Sequence, residues 1–488
     1  MNKDIANLDP KSIWKNFHLL TQVPRPSKKE EKIRAFMVDW AKERNLDVMV
    51  DEIGNVIISK AATPGMEDRK GIILQGHLDM VPQKNSDKEH DFEKDPIEAY
   101  IDGDWVTANG TTLGADNGMG VAAAMAVLES NDLKHGYIEA LMTIDEETGM
   151  TGAENLQPGI LKGDILLNLD SEDEGDLYIG CAGGVDTNVT FNYSTQRADE
   201  GKTAFKVVVK GLKGGHSGLD IHLDKGNAIK IMTQVLSGAE KYGLQLADIH
   251  VGNMRNAIPR EGFAIVMIDQ DKENDFLHYI NSIDIREKDR LQSVEPTLSI
   301  TAEKTEHLGG VMDSSTQSHL FEALANCPNG VKRYSTDMPD VVETSSNLSI
   351  INSGSGKIKI ALLTRSAIDA ERDLMAHEIA ENFRKHGAAA SHSGAYPGWK
   401  PNVESPILSA MKDAYNTQFG VVPAVKVIHA GLECGILGAI YPNWDMISFG
   451  PTIRHPHSPD EKVEIASVGK FWDFLVQTLE NAPKKDIV

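Results

Sequence analysis

The chain runs to 488 residues, 41% of them hydrophobic, which is enough apolar material for more than one cored domain. A formal net charge of −23 excludes nucleic acid and anionic membrane as partners, because phosphate groups would be repelled. Three scattered cysteines (Cys181, Cys327 and Cys434), with no CxxC pair, exclude a disulfide framework and a thiolate zinc site and suit a reducing cytoplasm.

The opening MNKDIANLDP has no apolar leader core, and no run approaches the ~18 apolar residues of a spanning helix, so a soluble cytoplasmic protein is expected. Residues 11–45 read as two helices broken at Pro24-Arg25-Pro26-Ser27, with Ser27, Glu30 and Glu31 starting the second. NVIISK, GIILQGHLDMV, EALMTIDEE and DILLNLD then alternate with helical patterns such as GMGVAAAMAVLES. That alternation predicts an α/β fold whose mixed sheet is sandwiched by helices.

After about residue 186 the texture changes. TAFKVVVKGL is a strand, GNAIKIMTQVLSGAEKYG a helix, HVGNMRNAIP and GFAIVMI two strands joined by a turn, and 273–290 a further helix. The same order of elements returns over 296–390, from TLSITAE through SHLFEALAN, ETSSNLSIIN and KIKIALLTRS to DAERDLMAHEIAENFRKHG. This predicts an inserted lid domain of two αβ lobes. PILSAMKDAY to WDFLVQTLE resumes the first texture. The expected division is 1–186 and 399–488 for a discontinuous catalytic domain, and 187–398 for the insertion.

The chemistry gathers at strand ends. His77 and Asp79 close one apolar strand, Glu146 and Glu147 close another, and Asp170 follows a third. Asp116 precedes a helix in GADNG, and His457 sits in the turn RHPHSPDE. Singly, an HxD triplet, an acidic pair after a strand or an aspartate before a helix is ordinary. Five such places in one chain are not. Imidazole nitrogen suits a borderline metal, at ~2.0–2.1 Å for zinc, and one carboxylate can bridge two cations roughly 3.5–4 Å apart. Asp79 could ligate, or accept the N–H of His77 and fix its tautomer. On a regular strand Glu146 and Glu147 would point to opposite sides, so that one ligates and the other takes a proton from an activated water. The set predicts a two-metal hydrolase.

GHLDMVP, GADNGMG, IDEETGMTGA, NLDSE and RHPHSPDE are similar to the co-catalytic di-zinc metallopeptidases, the family that includes glutamate carboxypeptidase and succinyl-diaminopimelate desuccinylase. CAGGVDT, GLKGGHSGLDI, NAIPRE and SGAYPGW narrow the resemblance to its carnosinase-like, Xaa-His dipeptidase branch. The resemblance implies a zinc-peptidase-like fold and two divalent ions, zinc first, with cobalt or manganese as alternatives. His77 and Asp170 would hold one ion, Glu147 and His457 the other, and Asp116 would bridge them. Asp79 would orient His77, Glu146 would be the general base, and the Asp116–Asn117 bond is often cis in such proteins. It also implies that His216 polarises the scissile carbonyl when the domains close, and that Asn256 and Arg365 meet the substrate carboxylate. Gly431-Leu432-Glu433 would line the pocket through backbone groups, and Cys434 is expected to be a small buried residue. The expected activity is hydrolysis of unblocked dipeptides, Xaa-His among them. The alternatives are an amidohydrolase acting on N-acyl amino acids or longer peptides, and a non-catalytic peptide-binding protein on the same fold. A homodimer stays open.

Overall fold

Four buried parallel strands form the spine of the first sheet: Ile138–Thr143, Ile72–His77, Ile165–Asn168 and Asp445–Ser448, adjacent in that order. The first three are buried at every position, as continuous apolar runs covered on both faces must be. Asp47–Val50 and Val56–Lys60 on one side and Asp176–Cys181 and Ala424–Ile428 on the other extend the sheet to eight, with Val56–Lys60 and Asp176–Cys181 antiparallel to their neighbours in the spine. Helix Ala115–Glu129 is apolar all round and buried from Asn117 to Leu128, as fits a helix sandwiched between the sheet and helix Lys11–Thr21. A small antiparallel sheet pairs the hairpin Ile453–Arg454 and Lys462–Glu464 with Trp105–Ala108 and Ala99–Asp102. Its loop carries His457.

The structure is a computed structural model that describes residues 3–306 and 309–485. The chain divides into two units, 1–180 with 401–427 and 432–488, and 181–400 with 428–431. The first division comes a few residues before the expected 186, because strand Gly183–Asn192 pairs within the second unit's sheet. Among the described residues no helix is long and apolar enough to cross a membrane. All three cysteines are buried thiols.

The second unit is built on one antiparallel nine-stranded sheet. One contiguous core gathers residues of its strands and of helices Ala228–Ala239, Glu273–Leu291, Ser314–Asn326 and Asp369–Lys385. Two β-α-β-β-α-β lobes are present, but their membership differs from the expected one. Strand Ser299–Lys304, containing most of TLSITAE, pairs with Lys202–Lys210 and completes the first lobe. The second lobe instead takes Gly183–Asn192 as its first strand, followed by Val342–Gly354, Lys357–Ser366 and Ala389–Tyr396. Counted along the chain, each lobe has strand order 4-1-3-2. The lobes join edge to edge, His250 opposite Asn352 and Val251 opposite Ile351. HVGNMRNAIP is not one strand either: the strand runs Gln245–Val251, while Ala257–Ile258 pairs with Gly215–His216.

Candidate metal centre and substrate-side cluster

The parallel strands end side by side, with His77 opposite Thr143 and Gln75 opposite Asn168. Their carboxyl ends are where an open α/β sheet presents functional groups. His77 is the last residue of its strand, and Asp170 lies two residues beyond Asn168. Glu146 and Glu147 are not on a strand, contrary to expectation. Asp145 takes a left-handed conformation (φ 52, ψ 42) and turns the chain into the single helical turn Glu146–Gly149. The Asp145 carboxylate accepts the hydroxyls of Thr148 and Thr151, which fixes that turn. Helical neighbours diverge by about 100° rather than 180°, so both glutamates reach the same centre. One ligand atom from each lies within 4.8 Å of the other's and of a His77 ring nitrogen.

Asp116 is not an N-cap. Helix Ala115–Glu129 starts after Gly114, and Asp116 and Asn117 interrupt it with non-helical angles across a cis peptide. The Asn117 amide donates to the Leu169 carbonyl at 2.7 Å, tying this loop to the one carrying Asp170. Ser27 does not cap a helix, which begins at Glu31. Its hydroxyl donates to Asp79 Oδ2 at 2.8 Å.

Asp116 turns one carboxylate oxygen to each histidine. Oδ1 is 3.1 Å from His77 Nε2, and Oδ2 is 3.4 Å from His457 Nε2. Asp170 Oδ1 completes the first set at 3.4 Å from His77 Nε2, and Glu147 Oε2 the second at 2.8 Å from His457 Nε2. Two atoms each ~2.0–2.1 Å from one tetrahedral ion lie about 3.3 Å apart, so these spacings suit a cation in each set. Asp170 Oδ1 and Glu147 Oε1 are buried without a hydrogen-bond partner among the described residues, which leaves acceptor capacity for a cation. A further acidic trio, Glu30, Asp79 and Asp145, lies as close together. Its oxygens are engaged by Ser27, Thr148, Thr151 and backbone N–H groups, so it is scaffolding.

His77 Nδ1 faces two acceptors, the Asp79 carbonyl at 3.1 Å and Asp79 Oδ1 at 3.4 Å. Nδ1 therefore carries the ring proton, and in the neutral ring Nε2 keeps its lone pair. The nearer contact is to the Asp79 backbone. Its carboxylate also accepts from the N–H groups of Glu146 at 3.0 Å and Glu147 at 3.3 Å.

The electrostatics match a cation site. Burial would lower the His77 pKa, yet Asp170, Asp116 and Asp79 keep it well above the ordinary value. Hydrogen bonding to Asp116 and Glu147 lifts His457 to about 11. Burial drives the carboxylates up, with Asp170 at about 7, Glu433 at about 7 and Glu172 at about 8. Glu146 is raised well above its normal range by burial, then by Asp170, Glu433 and Glu147. So many crowded carboxylates create a field that a pair of dications would neutralise.

Asp79 shifts the other way. Burial opposes its charge, but His77, the Ser27 hydroxyl and the Glu146 N–H bring its pKa to about 2. A folded pKa below the unfolded one gives stability that is present above about pH 4 and lost as pH falls towards 2, worth about 2 kcal/mol. In metal-free protein, urea denaturation should therefore show Asp79→Asn losing its deficit against wild type as the pH is lowered from about 6 to 3. A deficit constant over that range would rule the linkage out.

In the second unit, strand Gly215–His216 pairs with Ala257–Ile258, and Gly214 (φ 67) and Gly215 (φ 153) provide the flanking turn. His216 Nδ1 accepts the N–H groups of Gly218 at 3.1 Å and Leu219 at 2.9 Å. That fixes the tautomer with the proton on Nε2, and burial together with Arg365 keeps the ring pKa low. Arg365 is 5% exposed and donates to Tyr396 Oη at 2.8 Å and to Ser217 Oγ at 3.4 Å. Its hydrogen bonds among the described residues thus go to neutral hydroxyls. The Asn256 carbonyl accepts the Ser217 N–H at 2.8 Å, while its side chain is exposed. His429 was missing from the expected set. It is buried, its Nε2 lies 2.7 Å from Ser345 Oγ, and burial beside Arg365 and His216 pushes its pKa down to about 3.

Glu461 and Arg25 also escaped the sequence reading, although each lies in a segment that it quoted. Glu433 is not a backbone liner: its buried Oε2 accepts from Gln75 at 2.6 Å and Thr143 at 2.8 Å. Cys434 is buried, as expected.

The model of peptidase family M20/M25/M40 matches residues 73–481. The cytosol non-specific dipeptidase of Escherichia coli is 43% identical over 483 residues, 99% of this chain and 100% of that protein. The crystal structure of aminoacylhistidine dipeptidase from Vibrio alginolyticus superposes with a TM-score of 0.95 at 47% identity, covering 100% of both chains. An aminopeptidase from Bacillus cereus shares the fold at 17% identity and a TM-score of 0.62, over 97% of this chain and 99% of that one. The clustered imidazole and carboxylate groups at the strand ends and the full-length likeness agree, and the chain belongs to peptidase family M20/M25/M40.

Proposed function

We propose that this peptidase is a metal-dependent dipeptidase that cleaves unblocked dipeptides, Xaa-His among them, with Glu146 as general base. The observation that carries the proposal is the Asp116 carboxylate, whose two oxygens face two separate imidazole and carboxylate sets. His77 and Asp170 would bind one ion, Glu147 and His457 the other, and Asp116 both. The two ions, zinc first with cobalt or manganese acceptable to the same donors, would polarise the scissile carbonyl and acidify a water. Glu146 would accept a proton from the attacking water and return it to the leaving amine. Asp79 keeps the His77 tautomer and the Glu146–Glu147 turn in place.

The unit comprising 181–400 and 428–431 is proposed as the lid. Its His216 Nε2–H donates to the developing oxyanion. Arg365, a buried guanidinium bonded only to hydroxyls among the described residues, takes the C-terminal carboxylate with help from Asn256. A cytosolic location follows the name of the Escherichia coli relative.

A substrate panel tests the reading. Free dipeptides, Xaa-His included, should be hydrolysed, N-acetylated amino acids should not, and a chelator should abolish turnover until zinc, cobalt or manganese is added back. Activity confined to N-acyl amino acids or longer peptides would replace the dipeptidase assignment, and binding without turnover would replace the enzyme.

A further inference from the structure

We infer that Arg25 and Glu461 are a pair of positioning residues that lock three ligand-bearing loops together through the backbone of one residue, Gly114, and so set the affinity for the ion pair. The inference rests on the two-metal reading above, but neither residue supplies a ligand. Both oxygens of Glu461 are occupied by backbone N–H groups, and Arg25 is a cation.

Arg25 is 3% exposed between two prolines. Its Nη1 donates to the carbonyls of Leu78 and Asp79, each at 3.0 Å, in the loop that leaves His77. Its Nη2 donates to the Gly114 carbonyl, in the loop that leads to Asp116. The Arg25 carbonyl accepts the Met80 N–H at 3.0 Å, so main chain and side chain both hold the His77 loop. A planar fork can span two loops in this way, whereas a single ammonium cannot.

Glu461 approaches from the opposite side. It is 2% exposed, and its Oε2 accepts the N–H groups of Leu113 at 2.7 Å and Gly114 at 2.9 Å. Its Oε1 accepts the N–H of Asp116 itself at 3.2 Å. The Glu461 N–H donates to the Ser458 carbonyl at 3.0 Å, which closes the turn just after His457. Its carbonyl accepts the Thr107 hydroxyl at 2.7 Å. One residue therefore ties the His457 turn to the Asp116 loop.

Gly114 is gripped from both sides: its carbonyl accepts from Arg25 and its N–H donates to Glu461. A side chain would not fit there. At φ +71 a Cβ would lie 2.5 Å from Arg25 Nη2 and 2.9 Å from Met80 Sδ. Burying two opposite charges is a poor route to stability, since apolar groups of the same volume often serve as well. These charges direct their bonds to the main chain of ligand loops, where ligand placement must hold to about 0.5 Å.

The test titrates metal-free protein with zinc against a competing chelator and records the rise in Tm at saturating zinc. Three variants are compared with wild type. Glu461→Gln puts an NH2 group against backbone donors, and Arg25→Lys keeps the charge but loses the fork. Val463→Ala thins the core two residues beyond Glu461 without touching the loops. The first two should bind at least one ion roughly 10- to 100-fold more weakly and gain less Tm from zinc. Val463→Ala should start from a lower Tm yet keep wild-type zinc affinity. Should Glu461→Gln not fold, Arg25→Lys decides alone. Wild-type affinity in the folded clamp variants, or an equal loss in Val463→Ala, overturns the inference. A wild-type chain that takes up no zinc overturns the metal reading and this inference with it.

Discussion

Glu146→Gln should lower kcat on a free dipeptide by roughly 10²- to 10⁴-fold while metal content and KM stay near wild type. The amide preserves size and leaves the helical turn intact, because that turn is fixed by Asp145 with Thr148 and Thr151 and by the two N–H bonds to Asp79. What disappears is a carboxylate that burial and its acidic neighbours have made unusually avid for a proton. Such a group is suited to taking a proton from water and giving it back. Glu147→Gln is the companion, and should lose metal together with rate, since Glu147 pairs with His457 at 2.8 Å. Kinetics combined with elemental analysis separates the two. Undiminished turnover in Glu146→Gln would reassign the base, and metal loss there would make Glu146 a ligand.

Asp116→Ala is expected to have the larger effect on metal: at most one ion per chain, with activity down roughly 10³-fold or more. Among the described residues, Asp116 alone appears in both the His77–Asp170 and the Glu147–His457 groups. Removing it leaves His77 and Asp170 facing each other with one shared donor fewer, and leaves Glu147 and His457 likewise. Circular dichroism should stay native, because the loop's backbone bonds come from Arg25, Glu461 and Asn117 rather than from the lost carboxylate. Two tightly held ions in Asp116→Ala would refute the bridging geometry.

The clustered imidazole and carboxylate side chains were legible as candidates because each sits near the end of an apolar strand or in a short distinctive loop, and strand ends are where such sheets hold their chemistry. The apolar strands and the long helices were legible for the same local reasons. Three features were not. Glu146 and Glu147 could not be placed on a helical turn, because one left-handed residue, Asp145, changes the chain's direction. Arg25 and Glu461 look like ordinary surface charges until their partners, which for Glu461 lie about 345 residues away, are known. The lobe assignment failed because edge pairing depends on strands far apart in sequence, such as Gly183–Asn192 with Lys357–Ser366, and no local periodicity reports it.

That last pairing bears on how the chain leaves the ribosome. The first lobe is contiguous: its four strands and two helices are all synthesised once Ser299–Lys304 has emerged, so it can close on itself straight away. The strand Gly183–Asn192 emerges earlier and must wait. Its neighbours Lys357–Ser366 and Ala389–Tyr396 arrive well over a hundred residues later, and until then an apolar edge stands unpaired. Slowing translation beyond Lys304 should therefore lengthen the interval in which nascent chains need a chaperone, while the half already made is folded.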